Sequence, residues 1–155
     1  MSTIKVDTYL TRGGASEIAI DKLKGASSAG SMTVVGEGGS TTTNLQQGLA
    51  KQWCNYNQGY NSATVEFRDS FNTSSLTDNG TGDFTITINN NMTDGNYSHV
   101  CDGNYNLANG NYSNTTGHNQ IYRQMTTTAY DHICLSSNNP YDYHVAMSQI
   151  MGDLA

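Results

Sequence analysis

The chain has 155 residues, of which 35% are hydrophobic and 13% are charged, and its formal net charge is -6. This length suits one domain with a modest core, and the composition excludes a charge-rich disordered tail. Residues 1–51 hold five of the seven basic residues and four of the 13 acidic ones, so they carry +1 and the remainder carries -7. Nucleic acids and anionic membranes repel an acidic body, so we expect the protein to bind neither.

The N-terminal part is predicted to be an extended arm. Ile4 and Val6 open the chain in a strand-like pattern that breaks at two glycines, and the following ASEIAIDKL fits either a strand or about two helical turns. The rest of the arm is rich in Gly, Ser and Thr around a small apolar island that contains Val34 and Val35. So few apolar groups cannot order the segment by themselves. We therefore predict that residues 1–44 form an arm whose structure is completed by neighbouring chains.

The body, residues 45–155, shows short strand patterns separated by Gly, Asn, Asp or Pro clusters. The clearest is DFTITI, in which Phe84, Ile86 and Ile88 are predicted to face a core while the intervening threonines face outward. The other predicted strands are 64–68, 97–101, 120–127, 131–135 and 143–151. Tight turns are predicted at 78–80, 94–96 and 102–103. These patterns predict an all-β protein, an antiparallel sandwich or jelly-roll-like domain behind an extended N-terminal arm.

A long Asn-rich stretch, DGNYNLANGNYSNTTGHN, covers residues 102–119 and is predicted to be an exposed loop. It carries Tyr105 and Tyr112, and tyrosine offers a large contact surface with a polar tip. Such side chains suit packing between subunits or stacking on sugars. The predicted partner contacts are these two tyrosines together with Ile4, Val6, Val34, Val35 and Trp53.

Two His-x-Cys pairs raise the question of a metal site. His99 and Cys101, and likewise His132 and Cys134, are two residues apart in predicted strands, so each pair shares a face. If the two strands were neighbours, the four side chains could approach a tetrahedral zinc site, although the usual C-x₂-C spacing is missing. We favour the simpler interpretation that all four face the core, with the cysteines as free thiols packed as small hydrophobic side chains. His144 at the axis of a trimer is a second metal hypothesis, and we predict neither a metal nor another cofactor.

The sequence carries no catalytic motif. There is no G-x-S-x-G and no phosphate-binding loop, and no cysteine has a local catalytic signature. Glycosidase chemistry needs two carboxylates a few ångströms apart. The candidate aspartates fall at strand ends or turns, where aspartate caps local backbone donors: Asp69, Asp78, Asp83 and Asp94. The start lacks a signal-peptide pattern, and no apolar run approaches about 18 residues. We therefore predict a soluble, non-enzymatic protein made in the cytoplasm.

Two runs resemble a family of marine tailed-phage virion proteins, commonly labelled structural or tail-fibre-like. They are GLAKQWCNYN from Gly48 and VEFRDSFNTSSLTDNGTGDFTI from Val65, and TIKVDT near the start and GDLA at the end are similar as well. The resemblance covers most of residues 45–100 and both termini, whereas residues 102–130 match nothing in the family. It implies a virion appendage, often homotrimeric, that contacts other virion proteins such as the major capsid protein or tail proteins.

From this resemblance we expect an outer structural protein of the virion, either a capsid decoration (a knob or short fibre) or a short tail fibre. The lack of a long shaft or coiled coil slightly favours decoration. The alternative is a glycan-binding adhesin that recognises a host surface glycan through residues 102–119. A polysaccharide depolymerase is the enzymatic alternative, and it requires a carboxylate pair.

Overall fold

A computed structural model describes residues 32–36, 38–104, 118–121, 123–136 and 138–153, together with residues 13, 21 and 23. Most of the predicted arm and most of the predicted Asn-rich loop lie outside the described residues. The strands are β1 (Thr33–Val35), β2 (Thr42–Asn44), β3 (Ala50–Gln58), β4 (Val65–Phe71), β5 (Thr73–Gly80), β6 (Asp83–Ile88), β7 (Ser98–Asn104), β8 (His118–Ile121), β9 (Ala129–Ser136), β10 (Asn139–Pro140) and β11 (Val145–Met151).

The body is a sandwich of two antiparallel sheets. The first sheet has the order β4-β3-β11-β7, and the second has the order β10-β9-β6-β5, with β8 also paired to β9. The inner faces of the two sheets bury the core between them. This arrangement confirms the prediction of an all-β, antiparallel, sandwich-like fold.

Two short helical turns connect strands of the described chain. The helix α1 (Leu45–Gly48) leads into β3, and its first turn is capped by the side chain of Asn44, which accepts a hydrogen bond from Gln47 N. A 3-10 turn (Tyr60–Ser62) connects β3 to β4. Among the described residues, no helix is both long enough and apolar enough to cross a membrane.

The alternation predicted for DFTITI is confirmed in β6. Phe84, Ile86 and Ile88 are buried, while the threonines between them are half-buried. On the neighbouring strand β9, Tyr130, His132 and Cys134 are buried at the same two-residue spacing. Side chains of a strand alternate between its faces, so these positions form one continuous inner surface.

The predicted turn at residues 102–103 is wrong. Asp102 and Gly103 lie inside β7, where they pair with Met147 and Ala146 of β11. A Cβ atom on Gly103 would lie only 2.8 Å from Cδ2 of Tyr143. The glycine is therefore needed for the close approach of an aromatic ring. The Asp102-Gly103 sequence is typical of a turn, which is why the sequence predicted one here.

The strand predicted over 120–127 is shorter and begins earlier than expected. The described strand β8 ends at Ile121, and further along Met125 forms an isolated bridge with Tyr130. Thr126 then turns the chain, because its N–H and side chain both bond to Ala129. The run of threonines after Met125 supplies this turn.

The chain passes from the first sheet to the second at Asn72, between β4 and β5. Asn72 has a positive φ of 54°, a conformation that asparagine tolerates better than most residues. Its side-chain Nδ2 donates to the carbonyls of Lys51 and Asn90, and its Oδ1 accepts from Asn90 N at 2.6 Å. These bonds fix the corner and so hold the edge strands of the two sheets together.

Candidate functional site

A hydrogen-bonded group of polar side chains, which we call the tyrosine network, lies inside the sandwich. Tyr130 Oη donates to Oε1 of Gln52 at 2.9 Å and lies 2.5 Å from Oγ of Ser148. Ser148 Oγ lies 3.1 Å from Sγ of Cys54, and Gln52 Nε2 donates to Oγ1 of Thr73 at 3.0 Å. The network joins β3 and β11 of the first sheet to β9 of the second. Each polar side chain of the tyrosine network thus has a hydrogen-bond partner, as low-dielectric interiors require.

A second group, the histidine network, lies beside the first. Tyr56 Oη is 2.6 Å from Nδ1 of His132, and Nε2 of the same ring is 3.4 Å from Sγ of Cys134. Gln58 Nε2 donates to that sulfur at 3.1 Å, and its Oε1 accepts from Tyr143 N at 2.8 Å. These contacts again bridge the two sheets.

Burial keeps the ionisable groups of both networks neutral near pH 7. Desolvation lowers the pKa of His132 to about 3, with a smaller contribution from His99. It raises the pKa of Cys134 to about 12, and it also raises the pKa of Cys54 and of Tyr56. The largest cause of each of these pKa shifts is desolvation, because a charged group is unfavourable where it has lost its contact with water. The interior therefore holds neither an imidazolium nor a thiolate at pH 7.

The structure does not form the hypothesised zinc site from the two His-x-Cys pairs. Their strands, β7 and β9, belong to different sheets, so the pairs face each other across the core. The rings of His99 and His132 have centroids 5.9 Å apart and meet edge to face. Within the described part of the chain, no group of three or more His, Cys, Asp or Glu side chains is placed to hold a metal ion. The interpretation that these pairs face the interior describes their placement better.

The remaining candidate residues make local contacts. His144 accepts a hydrogen bond from Nη2 of Arg68 at its Nδ1, and its carbonyl accepts another from the same nitrogen. Three of the four aspartates, Asp69, Asp78 and Asp94, accept a hydrogen bond from a backbone N–H one or two residues further along. The fourth, Asp83, forms an ion pair of 2.5 Å with the exposed Arg123. Such capping contacts are the ones aspartate commonly makes at turns and strand ends.

Replacing Tyr130 by phenylalanine is expected to lower the free energy of unfolding by about 1–3 kcal/mol, because Gln52 and Ser148 lose a buried hydrogen-bond partner. Urea unfolding followed by circular dichroism measures the change. The double variant with Ser148→Ala serves as the control. Its loss of unfolding free energy should be smaller than the sum of the losses of the two single variants, because the two hydroxyls contact each other. An unchanged unfolding midpoint in Tyr130→Phe would contradict a stabilising network.

Large apolar side chains are exposed on the outer face of the first sheet. The strand registers place Trp53 between Phe71 and Gln149, and Gln149 opposite Val100. The next row contains Met147, with Asp102 as its partner on β7. We call the following four residues, with their exposed fractions, the outer apolar face: Phe71 (52%), Trp53 (37%), Val100 (60%) and Met147 (42%).

A shallow concavity of about 390 Å³ lies across β3, β11 and β7 in this face. Trp53, Val100 and Met147 line it together with the outward-pointing Asn55 and Gln149. Exposed apolar patches of this kind mark interaction sites in soluble proteins, and Trp, Phe and Met are enriched where proteins meet. The outer apolar face is therefore the candidate functional site.

A second exposed apolar feature is the hairpin of β1 and β2, which forms a two-stranded sheet of its own. Val34 pairs with Thr43, and Val35 pairs with Thr42. The two valines are 52% and 55% exposed. Isolated two-stranded hairpins are marginally stable in water, so this one gains from a partner surface.

The predicted contact residues divide into two sets. Trp53, Val34 and Val35 lie on the exposed features just described, whereas the remaining four lie outside the described residues: Ile4, Val6, Tyr105 and Tyr112. The sequence patterns did not single out three members of the outer apolar face, Phe71, Val100 and Met147. Their signal is a large apolar residue at the outward position of a strand, and it can be recognised only when the inward positions are known.

No family model matches the chain, and neither the curated proteins nor the solved structures give a significant match. Function is therefore inferred from the surfaces and contacts of the chain itself.

Proposed function

We propose that this protein is a non-enzymatic structural module of a tailed-phage virion, used as a capsid decoration or as a short tail fibre. The observation that carries the proposal is the outer apolar face, a surface suited to assembly with other protein chains. Apolar side chains that are exposed in an isolated chain are stabilised when a partner removes them from water. A module that works inside a larger assembly has such a partner permanently available.

The virion part of the proposal is supported by the resemblance to marine phage virion proteins. Its two runs correspond to most of β3, β4 and β5 and to the start of β6. These strands include Trp53 and Phe71 of the outer apolar face and the corner at Asn72. The resemblance thus covers both a part of the framework and half of the candidate site.

A structural role is also supported by the chemistry of the interior. Its histidine and cysteine side chains are kept neutral by burial, and they join the two sheets by hydrogen bonds. Three free cysteines, Cys54, Cys101 and Cys134, are buried or half-buried. Buried thiols with raised pKa values react slowly with oxidants, which suits a particle protein that persists outside the cell.

Glycan binding is the second candidate, because an exposed tryptophan beside Asn55 and Gln149 can stack on a sugar and bond to its hydroxyls. Phe71, Val100 and Met147 supply no hydrogen bonds, and they make up most of the outer apolar face. A sugar bound there would leave many hydroxyls without protein partners. The composition of the face favours a protein partner.

Labelling of purified virions tests the proposed function. An antibody raised against residues 45–155 is applied to particles of the phage that encodes the chain, and bound gold is located by electron microscopy. We expect label over the head for a decoration protein or at the tail for a fibre. Pre-incubation of the antibody with the purified chain is the control and should abolish the label. Particles that carry neither label nor peptides of the chain in mass spectrometry would contradict the proposal.

A further inference from the structure

We propose that β7 is a pH-controlled edge strand: protonation of His99 releases β7 from the sandwich, while the other strands of the two sheets stay paired. Among the described strands, β7 ends the first sheet and pairs with β11 alone. Its release breaks the backbone ladder to that one neighbour and leaves the order of the remaining strands unchanged. The device depends on the fold and not on the virion assignment.

The inward face of β7 is weakly anchored in the core. Strand alternation directs His99, Cys101 and Gly103 inward, and it directs Val100 and Asp102 outward. None of the three inward residues belongs to the buried hydrophobic cluster of the described chain. A large apolar side chain stabilises its strand by removing apolar surface from water, and β7 has none on this face. We therefore expect β7 to open at a lower cost in free energy than β3 or β6, which supply members of that cluster.

The chain just before β7 is held more firmly than β7 itself. Tyr97 is buried, and its Oη donates to the carbonyls of Thr126 and Ala129 at 3.1 and 3.3 Å. These bonds attach the start of the strand to the segment that leads into β9. Release is therefore expected to begin after Tyr97, which stays in place as the hinge, and to include His99.

His99 places a titratable ring against the second sheet. Its centroid lies 4.7 Å from that of the Tyr130 ring and 5.9 Å from that of the His132 ring, and both of these residues lie on β9. Desolvation in this position lowers the pKa of His99 to about 4. In the released strand the same ring is in contact with water and binds a proton more readily. Protons therefore bind preferentially to the released state and increase its population.

The described groups that face His99 offer no negative charge to an imidazolium. On β11, the uncharged Ile150 pairs with His99. The titratable side chains that lie beside the ring or share its side of the strand are the following: Tyr97, Cys101, Tyr130 and His132. Burial raises the pKa of Tyr97 to about 12 and of Cys101 to about 11, raises that of Tyr130, and lowers that of His132 to about 3. All four are neutral between about pH 5 and about pH 7.5.

The size of the effect follows from the two protonation equilibria of His99. Its pKa is about 4 in the sandwich and returns to 6.5 when the ring is hydrated, so acidification from about pH 7.5 to about pH 5 favours the released state about 30-fold. Release makes β11 the edge of the sheet. Its unpaired backbone groups can then bond to a strand of another chain. Acid thus converts a closed edge into one that accepts a strand.

Hydrogen exchange of the full chain, followed by mass spectrometry at about pH 7.5 and about pH 5, tests the proposal. Protection is expressed relative to the unfolded chain at the same pH, which removes the pH dependence of the exchange reaction itself. We expect the protection of β7 to fall about 30-fold on acidification. It should stay below that of β3 and β6 at both pH values. His99→Gln should remove most of the fall, because an amide does not take up a proton in this range.

His144→Gln is the matched control, since it removes another histidine in the same way. His144 lies just before β11, where it contacts Arg68 of β4, so this variant should keep the fall of about 30-fold in β7. Circular dichroism checks that each variant is folded, and His99→Leu replaces His99→Gln if that variant is not. Protection of β7 that does not change with pH would overturn the proposal, as would an equal fall in the His99 variant. Protection of β3 and β6 as low as that of β7 would also overturn it, because the whole fold would then open at once.

Discussion

Gly82→Ala is expected to lower the free energy of unfolding by about 4 kcal/mol or more, among the largest effects of a single substitution. Gly82 has a φ of 69°, which strains any residue with a side chain. Its Cβ would lie 2.5 Å from both the carbonyl oxygen of Cys134 and the backbone nitrogen of Tyr141. Those two atoms bond to each other, and Gly82 itself bonds to Cys134 N and to Asp142 Oδ1. The methyl group would therefore separate the backbone atoms that join β9 to the segment after β10, and it would disturb the bond that joins β9 to the turn before β6.

Gly80→Ala provides the control for this prediction. Gly80 lies in the same turn and also has a positive φ, of 133°, but a Cβ there would meet nothing within 4 Å. It should carry the conformational cost alone, on the order of 1–3 kcal/mol. Chemical unfolding of both variants separates the cost of the strained backbone conformation from the cost of the steric clash. Equal losses for Gly80→Ala and Gly82→Ala would show that the backbone around Gly82 moves aside, contrary to the expectation.

The parts of the fold that the sequence predicts are those in which apolar residues follow the period of a strand. Phe84, Ile86 and Ile88 of β6 alternate with threonines, so the inward face is visible in the letters alone. The central strand β3 does not show such an alternation of apolar and polar residues, because Gln52 and Gln58 lie on its inward face. A polar residue at an inward position is stable only when partners in distant strands satisfy it, and the sequence does not show those partners.

The sequence predicts only some residues of the candidate site, because it does not show which strands pair. Trp53, Val34 and Val35 stand out as apolar residues in polar surroundings, and the structure describes all three as exposed. Val100 looks like an ordinary strand residue between His99 and Cys101. Only the pairing of β7 with β11 shows that the histidine and cysteine point inward and that Val100 points outward. Long-range pairing, which no local pattern encodes, therefore decides which residues form the face.

Acidification is expected to destabilise the fold by about 4 kcal/mol between about pH 7.5 and about pH 5, because the buried His132 and the half-buried His99 must stay neutral. Desolvation lowers the pKa of His99 to about 4 and that of His132 to about 3, from 6.5. Near pH 5 the unfolded chain therefore binds two protons that the folded chain does not bind. Stability is complete above pH 6.5 and falls as the pH approaches the folded-state values, by about 2 kcal/mol per histidine at about pH 5. Urea midpoints across this range measure the loss.

His132→Gln separates this effect from other acid effects, because an amide can still meet both Tyr56 and Cys134 without taking up a proton. The variant should be less stable than the wild type at pH 7.5, but its loss on acidification should be about half as large, about 2 kcal/mol. Tyr130→Phe is the control, since it weakens the same interior and removes no group that titrates in this range, so its loss should equal that of the wild type. Tyr56 and Cys134 beside His132, and Tyr130 beside His99, have raised pKa values and stay neutral throughout. An acid-induced loss that is as large in His132→Gln as in the wild type would place its origin in the carboxylates instead.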